Sequence, residues 1–239
     1  MELLISPRSL EEAKVIIATG VNIIDCKNPD EGSLGANFPW IIKHMKELIP
    51  SNTSQLLSAT IGDFPNLPGS ASLAALGAAF SGADIIKVGL KGPKNEDQGK
   101  KLMHKVVKAV KDYNSKIKVV TAGYADRKRI NSSPKYLEIP SIAAESGSDI
   151  AMLDTYIKDD KGLFDFLSVE ELIKFKEKAH KFNLKIALAG RIMKEDLPFI
   201  KQISPDIIGV RSLVCENFDR NNGMIKKELI NSLLTDLYK

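Results

Sequence analysis

The chain has 239 residues, 44% of them hydrophobic and 27% charged, which is enough apolar material for a sizeable core and excludes a disordered chain. Its 34 basic and 30 acidic residues leave a formal charge of +4, too even a balance for a polynucleotide-binding surface and more in keeping with small phosphorylated partners. Cys26 and Cys215, the two cysteines, exclude a disulfide scaffold and a Cys/His metal centre, and read as core thiols in predicted strands.

In chain order, β-branched runs are expected to form strands over residues 3–6, 23–27, 56–61, 85–90, 118–122, 150–154, 185–189 and 207–211. Helical stretches fall between them over 10–19, 40–48, 73–80, 98–113 and 169–182, with a last one from 223 on. No basic segment leads into an apolar stretch, and no apolar run is long enough for a bilayer, so a cytoplasmic location is expected. The alternation predicts parallel strands joined by crossover helices: an α/β chain forming one single-domain TIM (β/α)8 barrel over residues 1–239.

A weak repeat supports that count: Thr19-Gly20-Val21-Asn22-Ile23-Ile24, Ser81-Gly82-Ala83-Asp84-Ile85-Ile86 and Ser146-Gly147-Ser148-Asp149-Ile150-Ala151. Each spells a glycine that stops a helix, a short polar residue, then a strand. The loops around 28–39, 63–69 and 132–140 all follow predicted strands. In a barrel of this kind such loops build the face that carries the active site. The first is longer than the roughly 2–6 residues usual for a βα connection, and it would lie beside Lys27, placed to fold over a substrate.

Side chains alternate along a strand. Ile24 and Cys26 are apolar and suited to face covering helices, so Asp25 and Lys27 should point into the barrel. The same alternation turns Lys87 inward from Asp84-Ile85-Ile86-Lys87-Val88-Gly89-Leu90, and Asp154 inward from the sixth strand, with Lys158 just beyond it. A lysine is rarely buried without a partner. Several on inward positions suggest an amine that attacks a carbonyl to form a Schiff base, its proton affinity lowered by neighbouring cations and burial. Asp25 and Asp154 would position the ammonium groups and move protons. The plain alternative, strand-end lysines in solvated salt bridges, fits any one of them better than the set.

Gly190-Arg191 and Gly209-Val210-Arg211-Ser212 end strands seven and eight. Backbone amides bind phosphate there in many barrels, and Gly190, Arg191, Gly209, Arg211 and Ser212 are the candidate phosphate contacts. Crowding relief by the glycines and solvated arginines explain the same residues about as well. His44, His104 and His180 fall among lysines on helices and read as surface residues. Lys100, Lys101, Lys105, Lys108 and Lys111 read as a solvated helix face.

The run Asp25-Cys26-Lys27-Asn28-Pro29-Asp30-Glu31-Gly32-Ser33-Leu34-Gly35-Ala36-Asn37-Phe38-Pro39-Trp40 strongly resembles the (5-formylfuran-3-yl)methyl phosphate synthase family of methanofuran biosynthesis. The likeness continues through Ser58-Ala59-Thr60-Ile61-Gly62-Asp63, Ala122-Gly123-Tyr124-Ala125-Asp126, Leu163-Phe164-Asp165-Phe166 and Asp219-Arg220-Asn221-Asn222-Gly223, and covers essentially the whole chain. The resemblance implies a TIM-barrel lyase. It would condense two molecules of glyceraldehyde 3-phosphate into 4-(hydroxymethyl)-2-furancarboxaldehyde phosphate without cofactor or metal. Lys27 falls on that family's Schiff-base lysine and Lys87 on its proton acceptor, and Asp25, Asp154 and Lys158 match further polar positions. The expected partners are small phosphorylated trioses, with no nucleic acid and no membrane. A homo-oligomer is compatible with the sequence. Two other readings stand beside this one: another phosphosugar barrel, either a Schiff-base aldolase or a decarboxylase of the orotidine-phosphate type, and a non-catalytic barrel that binds a phosphometabolite.

Overall fold

A computed structural model of the chain describes residues 1–238. Among them, eight parallel strands close into a barrel in the order β1 to β8. In chain order the pairs are β1 Glu2–Ile5 and α1 Leu10–Ile17, β2 Ile23–Cys26 and α2 Pro39–Leu48, β3 Leu56–Asp63 and α3 Pro68–Phe80, and β4 Ile85–Gly89 and α4 Glu96–Tyr113. There follow β5 Lys118–Tyr124 and α5 Ile139–Ser146, β6 Ile150–Asp154 and α6 Val169–Lys181, β7 Lys185–Leu188 and α7 Leu197–Ile203, and β8 Ile207–Val210 and α8 Lys227–Tyr238. The expected TIM barrel is the fold observed.

Two apolar layers follow from the alternation along each strand. Leu3, Ile5, Ile24, Cys26, Leu57, Ile86 and Val88 face outward and pack beneath the helices. Leu4, Ile23, Ile85, Val120, Ile150, Met152 and Ile207 fill the barrel interior. Burial holds the Cys26 thiol up at about 12, helped by the charge on Asp25, so this cysteine is inert packing. Cys215 is also buried, but it lies beyond β8 rather than in a strand, where it makes an isolated antiparallel bridge with Ile225.

The repeat has a structural purpose at the strand starts. Its glycines, Gly20, Gly82 and Gly147, all take positive φ and reverse the chain after a helix. Its polar residue then accepts a hydrogen bond from the first amides of the preceding strand. Asn22 Oδ1 accepts from Leu3 N (3.0 Å), Asp84 Oδ2 from Leu57 N (2.8 Å), and Asp149 Oδ2 from Val119 N (2.7 Å). Asp206 Oδ2 does the same for Ile186 N (2.8 Å), although no glycine repeat announces it. Each clamp supplies an acceptor to an amide that has no strand partner there.

The loop after β2 turns inward. Its tip residue Leu34 is fully buried and joins the interior cluster with Tyr124 and Met152. Ser33 Oγ donates to Thr155 O (2.9 Å), Thr60 Oγ1 donates to Gly35 O (2.5 Å), and Leu34 N donates to Asp63 Oδ2 (3.3 Å). Asp63 also accepts from the buried Tyr124 hydroxyl. Gly35 admits no side chain, because a Cβ there would stand 2.1 Å from Asn28 O. The loop therefore plugs the mouth beside β3, β5 and β6, and the opening that remains lies toward β1, β2, β7 and β8.

Candidate active site

Asp25 is the deepest polar residue of that opening. Within β2 its side chain points inward, away from Ile24 and Cys26, and it is fully buried. Ser6 Oγ, just past the end of β1, donates to its Oδ2 (2.8 Å), and Lys87 Nζ from β4 stands 2.7 Å from Oδ1. Burial pushes the Asp25 carboxyl up, but the charges on Lys87 and Lys27 and the two hydrogen bonds outweigh it and hold it below the ordinary range. Across the barrel, Asp154 at the end of β6 pairs with Lys158 Nζ at 2.7 Å. Asp154 Oδ1 also accepts from Thr155 N (2.7 Å), and Lys158 Nζ donates to Thr155 O (2.5 Å). Burial raises the Asp154 carboxyl, and Lys158 followed by Lys27 draws it down to a net lowering. Burial also lowers the proton affinity of Lys158, more than its carboxylate partner raises it.

Lys27 stands between these two pairs and belongs to neither. Strand β2 ends at Cys26, so Lys27 opens the loop with its backbone carbonyl accepting from Asn37 Nδ2 (3.4 Å). Among the described residues its Nζ has no hydrogen-bond or ion-pair partner. Burial is the largest influence on it, and the ammonium of Lys158 adds to that. Asp154 and Asp25 pull the other way, Lys87 pushes down again, and the result is a value of about 7. At neutral pH a substantial share of the Lys27 amines is then unprotonated, whereas a free lysine with a pKa of about 10.4 is almost wholly charged.

All five predicted polar residues, Asp25, Lys27, Lys87, Asp154 and Lys158, line one cavity. Gly190, Arg191, Gly209, Arg211 and Ser212 line it too, from the ends of β7 and β8. Gly190 needs to be glycine: its φ is +111°, and a Cβ would lie 3.0 Å from Thr155 N. The two arginines are committed elsewhere. Arg191 donates to Asp160 O. Arg211 is buried, with Nη1 2.8 Å and Nη2 3.2 Å from the Glu12 carboxylate, and it also donates to Ser6 O (2.9 Å) and Arg220 O (3.0 Å).

Sequence reasoning missed two residues of this region. Glu12, on the buried face of α1, is the counter-ion of Arg211. Arg220 lines the cavity from the loop after β8. The density of Asp, Asn and Gly in Asp219-Arg220-Asn221-Asn222-Gly223, which marks a tightly built turn, was the available signal for it. The histidines lie outside the site, all three exposed on helices, with His180 Nε2 2.9 Å from Asp206. No group of three or more His, Cys, Asp or Glu side chains among the described residues could hold a metal ion. No helix among them is long and apolar enough to cross a membrane.

The barrel has counterparts among known proteins. The orotidine 5'-monophosphate decarboxylase of Methanocaldococcus jannaschii superimposes with a TM-score of 0.69 at 17% identity, over 100% of this chain and 99% of that one. KGPDC from Streptococcus mutans superimposes with a TM-score of 0.65 at 12% identity, over 100% and 99% of the two chains. At those identities the likeness concerns the fold. The sequence matches are far closer. The chain is 55% identical over 233 residues to the (5-formylfuran-3-yl)methyl phosphate synthase of Methanocaldococcus jannaschii, covering 98% of each. It is 53% identical over 236 residues to the protein of that name from Methanosarcina barkeri, covering 99% of each. The family described as 4-HFC-P synthase matches residues 3–234. With that match spanning the barrel from β1 into α8, the chain belongs to the (5-formylfuran-3-yl)methyl phosphate synthase family and is an enzyme of that type.

Proposed function

We propose that the enzyme joins two molecules of glyceraldehyde 3-phosphate into 4-(hydroxymethyl)-2-furancarboxaldehyde phosphate, losing phosphate and water, through a Schiff base on Lys27 and as a step toward methanofuran. One observation carries the mechanism: among the described residues Lys27 is the amine of the cavity with no ion-pair partner, set between two lysine–carboxylate pairs, and burial with the neighbouring cations draws it down to about 7. An unprotonated amine attacks an aldehyde carbon, and neighbouring cations and burial keep it in that form.

The neutral Lys27 nitrogen adds to one triose aldehyde to give a carbinolamine, whose hydroxyl leaves as water when a proton is delivered to it. Lys158 and Asp154 stand on one side of the amine for that transfer. The resulting iminium withdraws electrons from the adjacent carbon, and the proton released there goes to Lys87 once its ammonium has handed its own proton to Asp25. The carbon nucleophile so formed adds to the aldehyde of the second triose, a hydroxyl closes the ring with loss of one phosphate and of water to give the aromatic furan, and hydrolysis of the imine frees the Lys27 amine. Two trioses need two places. Lys27 also borders a second, wider cavity lined by Arg8, Ser9, Asn28, Asp30, Asn37 and Phe38, so the two chambers meet at this residue. Gly190, Gly209 and Ser212 offer backbone close to the first chamber for a phosphate.

Borohydride reduction in the presence of glyceraldehyde 3-phosphate tests this reading. A covalent adduct on Lys27 and a furan product absorbing in the near ultraviolet are expected. Full activity in Lys27→Ala refutes the Schiff base. An adduct without furan leaves an aldolase, and turnover without an adduct leaves a decarboxylase-like barrel.

A further inference from the structure

We propose that Arg220 is the guanidinium that receives a substrate phosphate monoester in the Lys27 cavity, presented there by a hairpin that Glu12 and Arg211 hold in place. The inference rests on the proposed reading only in taking a phosphate monoester as the ligand.

Three arginines line the cavity, and two are already spent on protein acceptors: Arg191 on the Asp160 carbonyl and Arg211 on Glu12. The Arg220 guanidinium has no hydrogen-bond or ion-pair partner among the described residues, although it is only partly exposed. Burial lowers its proton affinity more than the charge on Asp154 raises it, and the neighbouring Arg211 and Arg8 lower it further, which marks a cation short of water among other cations. The charges of the cavity agree. Lys87 is matched by Asp25, Lys158 by Asp154 and Arg211 by Glu12. Among the described residues, Arg220 is the guanidinium of this cavity left without an ion-pair partner, beside the Lys27 amine. A guanidinium fits two oxygens of a phosphate at once.

The loop that carries Arg220 is built rather than slack. Lys226 N donates to Val214 O and Glu216 N to Met224 O, both at 2.9 Å, forming the base of a hairpin closed by the Cys215–Ile225 bridge. At its tip Asp219 Oδ1 accepts from Asn221 N (2.7 Å) and Asn222 N (3.2 Å), and Gly223 N donates to Asp219 O (2.9 Å). A Cβ at Gly223 would stand 2.3 Å from Glu216 O. Arg211 Nε donates to Arg220 O itself (3.0 Å), Arg8 donates to Asn221 O, and Glu12 accepts from Ile225 N (3.3 Å) and Arg8 N (2.7 Å). A buried ion pair is a weak source of stability. Holding the hairpin backbone at Arg220 and again at Ile225 gives this one a purpose, and makes Glu12 and Arg211 positioning residues.

The test titrates the full chain with inorganic phosphate at constant ionic strength, following heat of binding. Arg220→Met is expected to weaken phosphate binding by about tenfold or more, as loss of charged hydrogen bonds implies, while Arg220→Lys keeps part of it and Arg191→Met stays near the unaltered chain. Melting curves report whether each variant folds; if Arg220→Met does not, Arg220→Gln gives the same comparison. Equal phosphate affinity in the unaltered chain and the folded Arg220 variant, or no saturable binding by the unaltered chain, overturns the proposal. Furan formation is measured separately. Its absence in the unaltered chain would remove the synthase reading while an Arg220-dependent phosphate site stood. Furan formation with unchanged KM and phosphate affinity in Arg220→Met would remove the Arg220 site alone.

Discussion

Lys87 Nζ and Asp25 Oδ1 stand 2.7 Å apart with both side chains shut away from solvent inside the barrel. The contact separates two lysines that the sequence treats alike, because Lys87 is matched and Lys27 is not. A matched buried pair resists loss of either member, since the survivor is left as an isolated charge.

Asp25→Asn is therefore expected to lower stability by about 3–5 kcal/mol through the stranded Lys87 ammonium. Its amide would still meet Ser6, which limits the loss on that side. Urea unfolding at neutral pH checks it, and a change within about 0.5 kcal/mol, a size ordinary for surface substitutions, would mean that the pair contributes little.

Lys27→Met should remove product formation yet stabilise the fold. The folded chain holds Lys27 at about 7, well under its unfolded value near 10.5. Between those two pH values the unfolded chain binds more protons, so the penalty of a charged Lys27 is complete below about 7 and fades as pH rises toward 10.5. The variant's melting temperature should exceed that of the unaltered chain at pH 6, with the gap closing by pH 10. A constant gap across that range contradicts the depressed value.

The same titration shapes the activity profile. Imine formation needs the free amine, so the rate of borohydride-trapped adduct formation should climb as pH rises through about 7. Lys158→Met removes the strongest neighbouring cation acting on Lys27, so the midpoint should move to higher pH. An unmoved midpoint would assign the shift to burial alone.

Leu34→Ala leaves a hole at the mouth of the barrel, where Leu34 is fully buried. A loss of about 2–5 kcal/mol is typical of such a change. Because the leucine anchors the loop after β2, limited proteolysis should cut residues 28–38 faster in the variant. Unaltered cleavage would show that Ser33, Gly35 and the Asp63 contact hold the loop without it.

Glu12→Gln breaks the counter-ion of Arg211. Burial raises the Glu12 carboxyl, but the hydrogen bond from Arg211 and those from Arg8 and Ile225 bring it below its ordinary 4.5. Its stabilising contribution is thus present above pH 4.5 and lost as pH falls through the lower folded value. The unaltered chain should lose stability over that acid range more steeply than Glu12→Gln, as followed by circular dichroism.

The strands were legible as short apolar runs rich in β-branched residues, with β2, β4 and β6 entered through Gly and Asn or Asp, and their inward positions followed from alternation alone. Helix α5 carries Pro140 in its first turn and α7 spans seven residues, too short for a helical period to stand out. Helix α3 begins at Pro68, before the expected 73, because its small residues Ala71 and Ala75 pack where a larger apolar face would be looked for. In the site, charge type and strand face revealed the lysines and carboxylates. They did not reveal which cation goes unmatched. That depends on contacts between distant segments: Glu12 with Arg211, Lys87 with Asp25, and a loop after β8 that carries Arg220 against both.

The side-chain acceptors at the strand starts, Asn22, Asp84, Asp149 and Asp206, lie at the end of the cylinder away from the lysines. They pin neighbouring strands in register from a floor that takes no part in the chemistry. Crowded like charges and an uncompensated amine can then be tolerated at the rim, and substitutions that remodel the rim should leave the staves aligned.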